Sequence, residues 1–382
     1  MNLLHRSLFI MVACFFIFPN ITNSIYASNK NTKSDIDSNL LIVTDFGRDV
    51  DDAQAFATIA SLIDRYKNNK GRTKPKLSIA GIIVTGDIPF IKAKSLELFL
   101  NLFEIKAPIA IANSKQKKDY LSTHSINNTP YELSLLDSLA QMPQNKILNS
   151  TIKDESYFIN IDRLLDSLTN SYSNLTLVVL APPTGIGSYL DKHSSKIQAF
   201  SKVYVQGQAK IVDKKISPDF RAYNLREDSL ASYKLFKISN KLPFYFIGKD
   251  AVYPCAFTRR DFYSIKQNAF TNKYNSSSVT KNSRFAGKYL YLAAENGLIS
   301  FLQRDPSTFK KIFKTTSIDS LEIMNNPYDL LTILAIVKPH LFPIEQTIII
   351  PNKEKSQDEI KHIIYAAPKK QDIAKFLTLP TI

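Results

Sequence analysis

The chain has 382 residues, of which 44% are hydrophobic and 22% are charged, and its formal net charge is +15. This composition, with 18 Tyr and 24 Phe, fits a globular protein with a sizeable core and excludes disorder over most of the length. The basic residues are mostly scattered lysines, and no RNP-like, zinc-finger or arginine-rich motif accompanies them, so the charge does not predict nucleic-acid binding.

The N-terminal segment has the order of a secretory signal peptide. Arg6 precedes the apolar run SLFIMVACFFIF, and small residues follow near Ala27. The run is too short to span a bilayer comfortably, so we expect residues 1–27 to be removed and the protein to be periplasmic or secreted without a stable membrane anchor. A buried N-terminal helix is the alternative. Removal of Cys14 would leave Cys255 alone, which excludes an intrachain disulfide.

Residues 28–39 are polar and predict a flexible lead-in, after which residues 40–382 predict a single domain. Short apolar runs rich in Ile and Val then recur along the chain. They are LLIVT (40–44), LSIAGIIVTG (77–86), PIAIAN (108–113), LTLVVLAPP (175–183), KVYVQG (202–207) and LPFYFIG (242–248). Continuous apolar runs of this kind are typical of strands buried on both faces of a parallel sheet.

Helical patterns separate these runs. They cover residues 56–63, 95–105, 160–168, 226–239 and 326–342. Strands that alternate with helices predict an α/β fold with a doubly wound, mostly parallel sheet flanked by helices. In such folds ligands bind outside the carboxyl ends of the strands. Residues 264–285 predict a long loop, and the tail from about residue 345 predicts a strand followed by a further strand or helix.

Four aspartates crowd the turn between the first predicted strand and the first predicted helix: Asp45, Asp49, Asp51 and Asp52. Two carboxylates ~5 Å apart repel by about 3 kcal/mol at an effective dielectric near 20, whereas a helix N-terminus offsets up to about 1 kcal/mol for each. The side chains therefore splay into water, stay partly protonated or share a cation. A hard divalent cation such as calcium or magnesium is the economical interpretation. An EF-hand is excluded, because Val50 and Phe56 occupy the positions that need Gly and Glu.

The stretch IVTDFGRDVDDAQA resembles the signature of the inosine–uridine-preferring nucleoside hydrolase family, in the longer variant with two extra residues inside the turn. Four more segments resemble that family in the same order. They are GIIVTGD (81–87), LTLVVLAPPTGIGSYL (175–190), FRAYNLREDSLAS (220–232) and MNNPYDLLTILAIVKPHLF (324–342). The resemblance implies the nucleoside hydrolase fold and metal-dependent hydrolysis of the N-glycosidic bond of a ribonucleoside or related ribosyl compound.

The resemblance also implies roles for individual residues. Calcium, rather than magnesium, would be held by Asp45, Asp52, Leu180 and Asn326. Leu180 would contribute its backbone carbonyl. Asp45 would also act as general base toward a calcium-bound water. The nucleoside-like substrate would be bound by Asp51, Asp87, Asn224 and Asn325. The sequence leaves open whether the protein forms a homo-oligomer.

Three positions depart from the family pattern. Asn325 stands where the family has His, Asn326 where it has a ligand Asp, and Ala222 where it has a Glu that contacts the sugar. The nearest candidates for contact with the leaving group are then Tyr223, Tyr328 and Arg226. The departures leave two alternatives open: a catalytically degenerate protein that binds metal or a ribosyl group, and a hydrolase of a non-nucleoside glycosyl substrate on the same fold.

Overall fold

A computed structural model of the chain describes residues 38–47, 50–68, 77–112, 136–137, 139–212, 215–261, 323–351 and 359–377, together with residues 302, 306–307, 310, 314–317 and 321. The predicted signal peptide and the predicted 264–285 loop lie outside these ranges. The first strand begins at Ser38, so the last two residues of the predicted lead-in belong to the sheet. Within the described residues, no helix combines the length and apolar character needed to cross a bilayer.

The strands match the apolar runs of the sequence, with several additions. Their bounds are β1 Ser38–Thr44, β2 Leu77–Val84, β3 Ile109–Ile111, β4 Ile159–Asn160, β5 Leu175–Val179, β6 Phe200–Gln206, β7 Ala209–Val212, β8 Lys215–Pro218, β9 Phe244–Ile247, β10 Phe257–Thr258, β11 Ile323–Asn325, β12 Ile344–Pro351 and β13 Glu359–Tyr365. The tail therefore forms two strands, as one of the two predictions for it required.

One large sheet orders the strands β12-β13-β9-β6-β5-β1-β2-β3-β4 in the described part of the chain. Neighbouring strands are parallel except for β12 and β13, which are antiparallel. From β1 the chain moves outward through β2, β3 and β4, and it then returns to the other side of β1 with β5. The strand order thus reverses between β1 and β5, and a ligand crevice opens at such a switch point.

Helices cover both faces of the sheet. Their bounds are α1 Val50–Asn68, α2 Pro89–Asn101, α3 Lys146–Thr151, α4 Ile161–Ser171, α5 Ile186–Lys192, α6 Tyr223–Glu227, α7 Ser229–Phe236, α8 Lys249–Val252, α9 Tyr328–Val337 and α10 Lys370–Leu377. The single helix expected over residues 226–239 is divided, because the Asp228 side chain accepts a hydrogen bond from the Ala231 N–H and so caps α7.

Two hydrophobic cores lie on opposite faces of the sheet. Along β1, Leu40 and Ile42 face one core, whereas Leu41 and Val43 face the other. A strand buried on both faces must be apolar at successive positions, which explains the continuous runs in the sequence. On the first face α9 packs against α1, and its residues 329–337 are all buried. The predicted doubly wound α/β fold is confirmed.

Candidate functional site

A cavity of about 450 Å³ opens at the carboxyl ends of the central strands. This volume lies in the range of roughly 300–1,000 Å³ that small-molecule sites occupy. The residues that line it are Asp45, Asp51, Asp52, Leu180, Gln206, Gly207, Gln208, Arg221, Ala222, Tyr223, Asn224, Arg226, Gly248, Lys249, Tyr328 and Asp329. Asp45 directly follows β1 and Leu180 directly follows β5, so the cavity lies at the switch point of the sheet.

The acidic floor of this cavity consists of Asp45, Asp51, Asp52 and Asp329. Gly47 has φ of 101° and allows the tight turn that carries the chain from β1 into α1. Asp51 and Asp52 then lie in the first turn of α1, where the helix dipole favours negative charge. Asp329 lies in the first turn of α9, which packs on α1. Two helix N-termini therefore converge on the floor.

Three carboxylates of the floor form a compact cluster. Asp51, Asp52 and Asp329 are at most 5% exposed, and each offers an oxygen within 4.8 Å of the oxygens of the other two. The Asp329 N–H donates to Asp51 Oδ2 at 3.3 Å, and the Thr44 hydroxyl donates to Asp52 Oδ1. The three carboxylates offer oxygen atoms alone at close range, and such a donor set fits a hard metal cation.

A buried lysine holds the fourth carboxylate of the floor. Lys92 is fully buried in α2; its ammonium lies 2.9 Å from Asp87 Oδ1 and 3.9 Å from Asp45 Oδ2. Gly86 has φ of 93°, and a Cβ there would lie 3.1 Å from Lys92 Nζ, so the turn leaves room for this ion pair. Our sequence reasoning missed Lys92. Its spacing from Leu96 and Phe99, on the apolar face of the helix, was the available signal.

Asn224 joins the ends of two neighbouring strands. Its Nδ2 group donates to the Leu180 carbonyl at 2.6 Å and to Gln206 Oε1 at 2.5 Å. Leu180, the predicted carbonyl ligand, and Asn224, the predicted sugar ligand, both line the cavity. In the structure they contact each other, so the amide of Asn224 orients the carbonyl that we expect to face a metal.

Not all predicted site residues come together. Of the predicted site residues whose side chains the structure describes, Asp87 and Asn326 do not line the cavity. Asp87 contacts Lys92 beside the floor, Asn325 lies in β11 opposite Phe257, and the Asn326 carbonyl accepts from the Tyr328 N–H at 2.8 Å. Their roles stay predictions. The structure instead adds Asp329, which the sequence marked only as an acid in the first turn of an apolar helix.

The basic rim of the cavity consists of Arg221, Arg226 and Lys249. Arg221 donates to Asp219 Oδ2 through Nε at 2.8 Å and through Nη2 at 2.6 Å, and these bonds hold the pKa of Asp219 at about 2. The Arg226 guanidinium lies 5.7 Å from the centre of the Tyr223 ring. In the part of the chain that the structure describes, neither Arg226 nor Lys249 forms a salt bridge.

Tyr328 lies between the floor and Tyr253. The two rings meet edge to face with their centres 6.3 Å apart. Burial, followed by the hydrogen bond with Tyr253 and the charges of Tyr253 and Asp51, raises the pKa of Tyr328 well above its ordinary value. Its hydroxyl therefore stays protonated at neutral pH and can act as a hydrogen-bond partner for a ligand.

The chain matches no protein-family model and no curated protein. It is similar to three kinds of solved structure. The type III effector protein XopQ complexed with adenosine diphosphate ribose has a TM-score of 0.61 at 17% identity, over 90% of this chain and 92% of that chain. The plant nucleoside hydrolase PpNRh1 has a TM-score of 0.56 at 15% identity, over 91% and 100%. The purine-preferring ribonucleoside hydrolase from Gardnerella vaginalis has a TM-score of 0.55 at 17% identity, over 90% and 98%. The chain thus has the nucleoside hydrolase fold.

Proposed function

We propose that this protein hydrolyses the N-glycosidic bond of a ribonucleoside or a related ribosyl compound with the help of calcium. The observation that carries the proposal is the buried cluster of Asp51, Asp52 and Asp329, placed beside Asp45 at the switch point of the sheet. Similarity to two nucleoside hydrolases over nine-tenths of the chain supports the reaction class.

The residues that would hold calcium all offer oxygen. They are the three clustered carboxylates, with Asp45, the Leu180 carbonyl and the Asn326 amide oxygen as the further predicted donors. Calcium takes six to eight such ligands. When bound, it would lower the pKa of a water ligand and supply a positive charge that balances the floor.

Asp45 is the proposed general base. Its side chain is 14% exposed and lines the cavity, so it can reach a water molecule inside it. The water adds to C1′ of the ribosyl group and Asp45 accepts its proton, while the bond from C1′ to the base nitrogen breaks. The base leaves with the electron pair of that bond and takes up a proton from solvent. Positive charge develops on the sugar ring in the transition state, and the negative floor stabilises that charge.

The other proposed contacts orient the sugar. Asp51 would accept hydrogen bonds from the 2′- and 3′-hydroxyls, and Asn224, which also lines the cavity, would contact the ribose. Arg226, Tyr223 and Tyr328 remain the candidates for contact with the leaving base. These positions would hold the anomeric carbon in one orientation toward the attacking water, which lowers the entropic part of the barrier.

Binding without turnover is the second candidate function. It is favoured by the similarity to an effector protein whose structure contains ADP-ribose, and by the amides Asn325 and Asn326 near the start of α9. The floor would then hold a metal and a ribosyl ligand, but no leaving group would depart.

The test is a panel of purine and pyrimidine ribonucleosides incubated with purified protein, with calcium and with a chelator. We expect calcium-dependent release of free base and ribose from at least one member. Calcium binding in calorimetry without release from any nucleoside or ribosyl compound would contradict the enzyme and favour the binding function. Release that is equal with calcium and with chelator would contradict the role of the metal.

Export is a separate proposal. It depends only on residues 1–27, whose order of charge, apolar run and small residues is typical of a signal peptide. N-terminal sequencing of the protein recovered after expression should find a start near residue 28. Recovery of the intact N-terminus from the exported fraction would contradict cleavage.

A further inference from the structure

The charges that line the cavity are segregated. The floor contributes four carboxylates from the β1–α1 turn and from α9, whereas the rim contributes three cations from residues 221–226 and from Lys249. A site for an uncharged nucleoside has use for the floor, which would bind the metal and the ribose. Among the three cations of the same cavity, such a site would use Arg226 at most, as a contact for the base.

The cations of the rim are unequal. Arg221 is already engaged with Asp219, which is buried and also lies 3.5 Å from Lys210 Nζ. In the described residues Arg226 and Lys249 have no carboxylate partner, and Arg226 is braced against the Tyr223 ring. The two side chains therefore present positive charge to the cavity that the protein itself does not neutralise.

We propose that the ribosyl substrate carries a phosphate or diphosphate on its 5′ side, and that Arg226 and Lys249 bind it. This inference rests on the proposed function, because the same cavity must hold the ribose. Guanidinium groups match the oxygens of a phosphate, and lysine adds a compact charge. The carboxylates of the floor repel a phosphate, so the molecule can enter in one orientation, with its ribose toward the floor and its phosphate toward the rim. Ala222, between Arg221 and Tyr223, is uncharged and adds no negative charge to the rim.

Binding is measured first, because it does not depend on turnover. Ribose and ribose 5-phosphate are titrated into the full chain in calorimetry, with calcium present. We expect ribose 5-phosphate to bind at least about tenfold more tightly, which corresponds to one charge-assisted hydrogen bond or more. Raising the salt concentration from about 50 to about 300 mM should weaken the binding of the phosphorylated compound more than that of ribose, because the rim is exposed to solvent.

Variants then locate the phosphate. Arg226→Gln and Lys249→Gln should each weaken the binding of ribose 5-phosphate by about tenfold and leave the binding of ribose unchanged. Arg163→Gln is the matched control, because Arg163 is exposed on α4 and does not line the cavity. Circular dichroism and thermal unfolding of each variant confirm that the fold is kept. Equal binding of the two sugars by the unchanged protein, or unchanged phosphate binding in both rim variants, would overturn the inference.

The two proposals fail separately. Hydrolysis is compared for adenosine, adenosine 5′-monophosphate and ADP-ribose, and we expect a higher kcat/KM for a phosphorylated compound. Hydrolysis of adenosine with no gain from phosphate would retain the proposed function and overturn the phosphate inference. Rim-dependent binding of ribose 5-phosphate without hydrolysis of any compound would retain the phosphate inference and overturn the proposed function. A gain for ADP-ribose but not for the monophosphate would assign the rim to a diphosphate.

Discussion

The acidic floor and the basic rim of one cavity differ in how the protein holds them. The carboxylates of Asp51, Asp52 and Asp329 are buried, come from two packed helices and accept hydrogen bonds from the protein itself. Arg226 is exposed and rests on one aromatic ring. Interactions on the floor act in a low effective dielectric, whereas those on the rim are screened by water and salt. If the proposed function is correct, we expect catalysis to depend on the buried floor and substrate preference on the exposed rim.

The largest expected effect comes from the floor. Asp45→Asn removes the proposed base while keeping the size of the side chain, so kcat/KM should fall by about 10²- to 10⁴-fold. Steady-state kinetics on the best nucleoside of the panel measures this, and thermal unfolding checks the fold. Asp137→Asn, at an exposed carboxylate outside the cavity, is the control. Activity unchanged by Asp45→Asn would exclude this residue as the base.

The ion pair behind the floor should govern stability. Lys92→Met removes a fully buried ammonium that contacts Asp87 and Asp45, and we expect the free energy of unfolding to fall by about 3 kcal/mol. Denaturant titration measures the loss. In the double variant with Asp87→Asn, one negative charge also disappears, so part of the stability should return. A loss as large in the double variant as the sum of the two single losses would contradict coupling of the pair.

Metal affinity distinguishes the ligand that the sequence predicted from the one that the structure adds. Asp329→Asn removes one charge from the buried cluster and should weaken calcium binding by about tenfold, since charge count sets affinity at such sites. Asn326→Asp should strengthen binding if Asn326 is also a ligand. Calorimetry with calcium measures both. Unchanged affinity in Asp329→Asn would remove that residue from the metal site.

The smallest effect concerns the support of the rim. Hydrogen bonds from Arg221 hold the pKa of Asp219 at about 2, below its ordinary value of 3.8. The folded protein therefore binds fewer protons at this group than the unfolded chain between about pH 4 and pH 2, and stability is lost as the pH falls through that range. Because Arg221 is mostly exposed, we expect this loss in the free energy of unfolding to be about 1 kcal/mol. The free energy of unfolding of Asp219→Asn should be lower than that of the unchanged protein at pH 5, and the two values should converge near pH 2. A difference that does not depend on pH would contradict this role.

Much of the fold could be predicted from local patterns. The apolar runs predicted the parallel strands, because a strand buried on both faces has no room for alternating polar residues. The division between α6 and α7 was missed, because the capping of α7 by Asp228 competes with an apolar periodicity that continues across it. Asp329 was missed as an acid of the floor, beside the predicted ligand Asn326, for a different reason. The two residues lie three positions apart, and the start and rotation of α9 decide which of them faces Asp51.

The sequence by itself determined the β1–α1 turn, with Asp51 and Asp52 at a helix N-terminus, because adjacent residues suffice to place carboxylates after a buried strand. Only the tertiary structure decided which distant groups join them. Asp51 and Asp329 are 278 residues apart in the chain and meet because α9 packs on α1. Packing of distant segments also brings Lys92 next to Asp45. In the same way it places Arg226 and Lys249 on one rim. Burial of apolar helix faces drives that packing, and it sets the distances between charges that no local pattern encodes.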